Sequence, residues 1–213
     1  MKKEPTAYHH GDLRRALIEA ALRALETQGL ADISLRSLAR DLGVSPRAPY
    51  RHYPSREALL AAVAVEGYHR YAAFLAERVA RVGDDPVARL TAVAESYVLF
   101  AVHHPAAFRV MCAPYATVEE SAPELLAVRR EGLAGMIALI TDGQRAGLFR
   151  AGDPMVCALA WWSSMHGLSV LLIEGQLGRY DRPVDPERMA RLVAERMLEG
   201  LLLPGGSAAQ GAP

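Results

Sequence analysis

The side chains best suited to contact another molecule are concentrated in residues 47–53. This stretch offers two guanidinium groups, two phenol hydroxyls and an imidazole within a few residues of chain. Such a mixture can reach the phosphate oxygens and the base edges of a nucleic acid together. The five residues are Arg47, Tyr50, Arg51, His52 and Tyr53.

The residues just before this stretch predict the frame that holds it. Ser34 can cap a helix that ends at Gly43, because glycine readily adopts the left-handed conformation past a helix end. Ser45 and Pro46 then have the types expected at the N-cap and first position of a second helix. Two helices joined by a short glycine turn form a helix-turn-helix, whose second helix fits a major groove about 12 Å wide. The apolar positions of the first helix are Leu35, Leu38, Ala39 and Leu42.

One residue does not fit a regular second helix. Pro49 has no N–H to donate to the carbonyl of Ser45, so it removes the first intrahelical hydrogen bond. The cost should stay below the roughly 3 kcal/mol of a proline in mid-helix. We therefore expect a second helix with a strained or 3₁₀-like first turn, ending at Pro54.

Residues 11–63 resemble the DNA-binding domain of TetR (tetracycline repressor) family regulators. The likeness rests on a leucine-rich helix, Gly-Val-Ser-Pro at residues 43–46, Tyr-x-x-Tyr-Pro at 50–54 and Arg-Glu-x-Leu at 56–59. The family more often has an aliphatic residue at the position of Pro49.

The resemblance implies a DNA contact surface. Arg47 and Arg51 are expected to reach bases or phosphates, whereas Arg36, Ser45 and Arg56 are expected to hold flanking phosphates. Tyr50, His52 and Tyr53 would position phosphates, although inward packing of Tyr53 against the first helix is an equal alternative. The full predicted surface is Arg36, Ser45, Arg47, Ala48, Tyr50, Arg51, His52, Tyr53 and Arg56.

Composition predicts an all-α protein. Of the 213 residues, 51% are hydrophobic and 7% are aromatic. The sequence has long runs of alanine, leucine and arginine and lacks the alternation of Val, Ile and Thr that is typical of strands. The formal net charge is zero, but residues 1–60 carry 10 basic and 7 acidic side chains. Because this asymmetry is modest, DNA affinity should depend on placed contacts and on dimer avidity.

The predicted organisation has four parts. Residues 1–10 form an N-terminal arm, whose basic side chains either follow a DNA backbone or remain a solvated terminus. Residues 11–55 form the helix-turn-helix domain, residues 56–203 a helical ligand-binding and dimerisation domain, and residues 204–213 a flexible tail. Cys112 and Cys157 lie in apolar stretches with neither disulfide nor metal spacing, which suggests buried thiols in a reducing cytoplasm.

Residues 155–173 carry no formal charge and approach the length of a membrane span. The polar residues Ser163, Ser164 and His166 favour a doubly buried interface helix instead, and no membrane association is expected. Together with the last helix it would form a four-helix bundle in a homodimer. A two-fold dimer would place its reading helices about 34–36 Å apart, which predicts a palindromic operator.

Residues 157–177 resemble the C-terminal domain of the TetR subgroup named for Trp, His and Gly. Here Trp162 and His166 share a helix face, either as a packed tryptophan beside a hydrogen-bonded core histidine, with Gly167 permitting close helix approach, or as ligand contacts. Other aromatic and apolar side chains form either a ligand pocket or plain core. The full set of ligand-binding candidates is Tyr71, Phe74, Tyr97, Phe100, His104, Phe108, Met111, Tyr115, Trp161, Trp162 and His166.

These features favour a transcriptional repressor released from its operator by an apolar or amphipathic small molecule. The alternative is a DNA-binding regulator whose C-terminal domain binds a protein. An enzyme is disfavoured, since the sequence has no Gly-x-Ser-x-Gly, His-Glu-x-x-His, glycine-rich phosphate loop or Cys-x-x-Cys. No cofactor is expected. No metal site is expected either, because the adjacent pairs His9–His10 and His103–His104 would point about 100° apart on a helix and could not easily bind one ion together.

Overall fold

The computed structural model describes residues 10–30, 32–113, 122–179 and 184–203, without the side chains of residues 10–12 and 179. These residues form α-helices with no strand among them, which confirms the all-α prediction. The predicted arm up to residue 9, Tyr115 and the predicted tail lie outside the described residues. The helices are α1 His10–Gln28, α2 Leu35–Asp41, α3 Arg56–Val79, α4 Pro86–His103, α5 Pro105–Cys112, α6 Pro123–Arg145, α7 Pro154–Ile173 and α8 Pro186–Leu201, with short 3₁₀ helices at Pro49–Arg51 and Gln176–Arg179.

The described residues divide into two compact units. The first comprises those of Met1–Tyr68 and Ala106–Leu126, and the second those of His69–Pro105 and Ala127–Pro213. Helix α3 begins in the first unit and ends in the second, and the predicted domain limit after residue 55 stays a prediction.

Asp-Pro pairs start three of the helices. Asp85, Asp153 and Asp185 are the N-caps of α4, α7 and α8, and each is followed by proline in the first turn. Each aspartate side chain accepts hydrogen bonds from backbone N–H groups of the first turn, for example from Met155 at 2.8 Å. The caps satisfy donors that a helix start leaves unpaired.

The core of the second unit lies between α4, α7 and α8. Trp161 is its largest side chain and is 2% exposed. Phe149 adds to this core from the segment after α6, which pairs with the end of α8 in one antiparallel bridge to Leu202. The other core residues are Val87, Leu90, Ala94, Val98, Met165, Leu168, Ala190, Ala194, Leu198 and Leu201.

Helix α7 buries only one side within its own unit. It is 20 residues long with a mean hydropathy of 1.6, which by length and composition would allow it to cross a membrane, although core helices of soluble proteins meet the same criteria. Its outer side carries large exposed apolar side chains, which we call the α7 apolar face: Met155, Val156, Leu159, Trp162 and Leu171.

Candidate nucleic-acid interface and aromatic cluster

The second helix of the predicted helix-turn-helix is much shorter than expected. Within residues 45–53, which we call the reading element, only Pro49–Arg51 is helical, and it is 3₁₀. The carbonyl of Ser45 accepts instead from the N–H of Ala48 at 2.9 Å, since Pro49 has no N–H to offer. The expected 3₁₀ character is therefore found, but the regular helix expected to continue from it up to Pro54 is absent from these residues.

The frame around this element has the predicted local structure. Ser34 and Ser37 form a reciprocal capping box at the start of α2, in which the Ser37 N–H donates to Ser34 Oγ at 3.0 Å. Helix α2 ends before Gly43, whose φ of 66° lies in the left-handed region that glycine tolerates. Both the cap and the glycine turn were predicted from sequence and are confirmed.

Three of the predicted contact residues project from the reading element into solvent. Arg47, Tyr50 and Arg51 are exposed, and neither guanidinium has an ion-pair partner among the residues that the structure describes. Buried Pro49 lies between them, and the 3₁₀ turn packs on α1 and α2. Of the other candidates, Arg36 and Ser45 are exposed, whereas Ala48 and His52 are partly buried.

Tyr53 points inward, so its predicted phosphate contact is not supported. The side chain is 3% exposed, and its hydroxyl donates to the carbonyl of Arg14 in α1 at 3.3 Å. The Arg14 guanidinium lies 5.9 Å from the centre of the Tyr53 ring. Burial raises the pKa of the Tyr53 hydroxyl. The alternative of inward packing against the first helix describes this residue correctly.

Arg56 also has its main partners inside the protein. Its Nε donates to the carbonyl of Ile33 at 2.9 Å, and its Nη2 donates to the carbonyl of Leu30. Both carbonyls belong to the turn between α1 and α2. The sequence offered no signal for these contacts, because the turn lies more than twenty residues away along the chain.

Five of the predicted ligand-binding residues come together in the second unit. The ring of Tyr71 lies 5.8 Å from that of Tyr97 and 5.4 Å from that of Phe100, in edge-to-face arrangements. Phe100 also contacts Phe74 and His104, at centroid distances of 6.2 and 4.9 Å. We call these five residues the aromatic cluster: Tyr71 and Phe74 of α3, Tyr97 and Phe100 of α4, and His104 at the C-cap of α4.

Hydrogen bonds connect the aromatic cluster to two side chains of α7, His166 and Trp162. The Tyr97 hydroxyl lies 3.0 Å from Nδ1 of His166, and the indole N–H of Trp162 donates to the same hydroxyl at 3.1 Å. Burial lowers the pKa of His166, which favours its neutral form. Within the single chain the Trp162 side chain is not buried, since it is 43% exposed. A Cβ on Gly167 would meet no atom within 4 Å, so the expected close helix approach is absent within the described chain.

The remaining candidates are placed differently. Phe108 and Met111 belong to the first unit and are buried, with Met111 packed on Gly67 of α3. Trp161 belongs to the core of the second unit.

A buried ionic network in the second unit was missed by sequence reasoning. Glu95 of α4 accepts from Nε of Arg191 in α8 at 2.7 Å and from Nη2 of Arg78 in α3 at 3.3 Å. Its only sequence signal is a single charge within an otherwise apolar stretch of α4. No group of His, Cys, Asp or Glu able to hold a metal ion occurs in the described part of the chain.

Two family descriptions match the sequence. Residues 17–63 match "Bacterial regulatory proteins, tetR family" and residues 90–197 match "Tetracyclin repressor-like, C-terminal domain". The second match includes Trp162, His166 and Gly167.

Similar proteins agree with these matches. An uncharacterized HTH-type transcriptional regulator of Mycobacterium tuberculosis is 28% identical over 174 residues, which are 79% of this chain and 73% of the relative. A solved protein of unknown function from Rhodococcus sp. RHA1 is 31% identical, with a TM-score of 0.80 over 93% of this chain and 100% of the other. The structure of AibR in complex with isovaleryl coenzyme A and operator DNA has the same fold, with 21% identity, a TM-score of 0.64 and coverage of 89% and 97%. The chain belongs to the TetR family of transcriptional regulators.

Proposed function

We propose that this regulator is a homodimeric repressor that leaves a palindromic operator when a small molecule binds its second unit. Members of the family are typically homodimeric and cytoplasmic, and we assign both properties to this protein. We propose no catalytic activity, since the relatives of this protein are transcriptional regulators.

The observation that carries DNA binding is the outward projection of Arg47, Tyr50 and Arg51 around buried Pro49. A guanidinium can donate two hydrogen bonds to a guanine edge, whereas a phosphate contact carries no sequence information. We assign base contacts to Arg47 and Arg51 and a phosphate contact to Tyr50.

This assignment can be tested on a duplex selected from a random library by the wild-type protein. Arg47→Ala should weaken binding by about 1–3 kcal/mol and relax the preference at one base pair if the residue reads a guanine. The matched control is Arg23→Ala, at an exposed position of α1. An equal loss on selected and random duplexes would show that Arg47 contacts only the backbone.

The α7 apolar face supports the homodimer. Val156 is 62% exposed there, and Leu192 of α8 is exposed as well. Large exposed apolar patches are uncommon on monomers and mark interaction sites. Two copies of α7 and α8 related by a two-fold axis would cover both faces in a four-helix bundle.

Two glutamate substitutions test the dimer. Val156→Glu should convert the protein to monomers in light scattering, because the interface would bury an unpaired carboxylate. Ala76→Glu, at an exposed position of α3, should leave the dimer intact. A wild-type monomer at micromolar concentration would refute the homodimer.

The aromatic cluster supports an apolar or amphipathic effector. Ligand sites are mostly apolar with a few polar groups, and here Tyr97 and His166 supply the polar groups beside the rings. A structure of the same fold, that of AibR, contains isovaleryl coenzyme A and operator DNA. An effector releases DNA only if it binds the state with low DNA affinity more tightly than the other.

The effector can be identified by a competition assay between candidate compounds and the selected duplex. Compounds of broad chemical classes are screened for release of the selected duplex, and hits are retested on Phe100→Ala. An effector of the proposed site should lose affinity for that variant while duplex binding persists. If no class releases the duplex, the alternative in which the second unit binds a protein replaces this proposal.

A further inference from the structure

The reading element cannot hold its own orientation. Its regular part is the single 3₁₀ turn Pro49–Arg51, and 3₁₀ turns have poorer hydrogen-bond geometry than α-helices. The direction in which Arg47 and Arg51 point must therefore be set by contacts to the helices around it. Two such contacts are made by Tyr53, the last residue of the element, and by Arg56, three residues after it.

The guanidinium of Arg56 bridges two positions of the turn between α1 and α2. Nε donates to the Ile33 carbonyl at 2.9 Å and Nη2 to the Leu30 carbonyl. Nη1 lies 3.9 Å from Oε1 of Glu57. The edge of the guanidinium that usually grips a phosphate with two parallel N–H groups is thus already occupied.

The electrostatics of the turn favour the same arrangement. Leu30 follows the end of α1 at Gln28, where the helix dipole attracts a cation. Ile33 is 2% exposed and immediately precedes Ser34, the cap of α2. Arg56 is the first residue of α3. One side chain therefore connects the end of α1, the start of α2 and the start of α3.

We infer that Arg56 is a positioning residue for DNA recognition and not a phosphate contact. This inference rests on the proposed function of the reading element. Arg56 ties the start of α3, three residues after the element, to the α1–α2 turn, while the Tyr53 hydroxyl ties the last residue of the element to the Arg14 carbonyl of α1. Lysine cannot replace Arg56, since one ammonium group lacks the planar fork that spans two carbonyls.

The salt dependence of binding separates the two roles. A phosphate contact releases counterions, so loss of Arg56 from both subunits would reduce the slope of log K against log salt by about 1.8. A positioning residue changes affinity without changing that slope. Lysine keeps the charge and loses the bridge, whereas glutamine removes the charge.

The experiment measures binding of the selected duplex over a range of salt concentrations for wild type, Arg56→Lys, Arg56→Gln and the control Arg23→Lys, whose side chain is exposed on α1. Both Arg56 variants should bind on the order of tenfold more weakly with an unchanged slope, and Arg23→Lys should bind like wild type. A normal affinity for Arg56→Lys, combined with a reduced slope for Arg56→Gln, would overturn the inference. Normal affinity in both variants would overturn it as well.

Amide hydrogen exchange of the free protein provides a readout that needs no DNA. In Arg56→Lys, exchange in residues 29–34 should accelerate while exchange in α8 stays at the wild-type rate. Unchanged exchange in residues 29–34 would remove the basis of the inference. If wild type selects no duplex, the proposed function fails, and the exchange result still reports whether Arg56 holds the turn.

Discussion

Glu95 is the charged residue whose loss should destabilise the second unit most. Its side chain is only 11% exposed and lies between Arg191 at 2.7 Å and Arg78 at 3.3 Å. Arg78 also reaches Glu187 at 3.4 Å, and its own Nε is buried without a hydrogen-bond partner. The hydrogen bond to Glu95 raises the pKa of Arg191. Replacement by glutamine keeps the shape of Glu95 and removes its charge.

The size of the destabilisation depends on how fully each arginine guanidinium can be hydrated once the charge of Glu95 is removed. Breaking a buried ion pair by removing one partner costs about 3–5 kcal/mol. The Arg191 side chain is 55% exposed and can be hydrated, so loss of its ion pair should contribute little to the destabilisation. The Arg78 side chain is 25% exposed and would retain its ion pair with Glu187. We expect Glu95→Gln to lower the free energy of unfolding by about 2–3 kcal/mol. In a chain of this size that corresponds to a Tm lower by about 4–12 °C.

The assay is thermal and urea denaturation at neutral pH, with Glu199→Gln as the matched control. Glu199 pairs with Arg196 on the exposed side of α8, where both side chains are more than half exposed. Such a pair contributes about 0–1 kcal/mol, so the control should unfold close to wild type. If Glu95→Gln unfolds together with the control, the network does not stabilise the fold and the reasoning from burial is refuted.

Two further predictions concern packing and pH. Gly67→Ala would place a Cβ 2.8 Å from Cγ of Met111 and should cost about 1–3 kcal/mol in urea denaturation. Gly132→Ala, where a Cβ meets nothing within 4 Å, should stabilise α6 by about 0.5–1 kcal/mol, and equal effects of the two would contradict the packing. Since burial lowers the pKa of His166 below its ordinary 6.5, the unfolded chain binds the proton first, and stability should fall as the pH drops from that value through the folded pKa. His166→Gln should remove this part of the pH dependence of the urea midpoint; an unchanged pH profile would show that His166 is not its source.

The features that could be predicted from the sequence are those that depend on residues close along the chain. The Asp-Pro pairs place the starts of α4, α7 and α8, because an aspartate cap and a proline in the first turn act within three residues. Gly43 ends α2 for an equally local reason. The succession of short motifs in residues 43–59 was enough to indicate the family, and with it the fold.

Tertiary structure alone decided which side chains face inward. Trp161 and Trp162 are adjacent and identical side chains. Packing of α7 on α4 and α8 buries the first and leaves the second exposed, since adjacent helix positions point about 100° apart. Tyr53 and Arg56 look like DNA contacts in the sequence, but their partners in α1 and in the α1–α2 turn are distant along the chain. The orientation of a side chain depends on what the rest of the chain brings next to it, and local residue types do not contain that information.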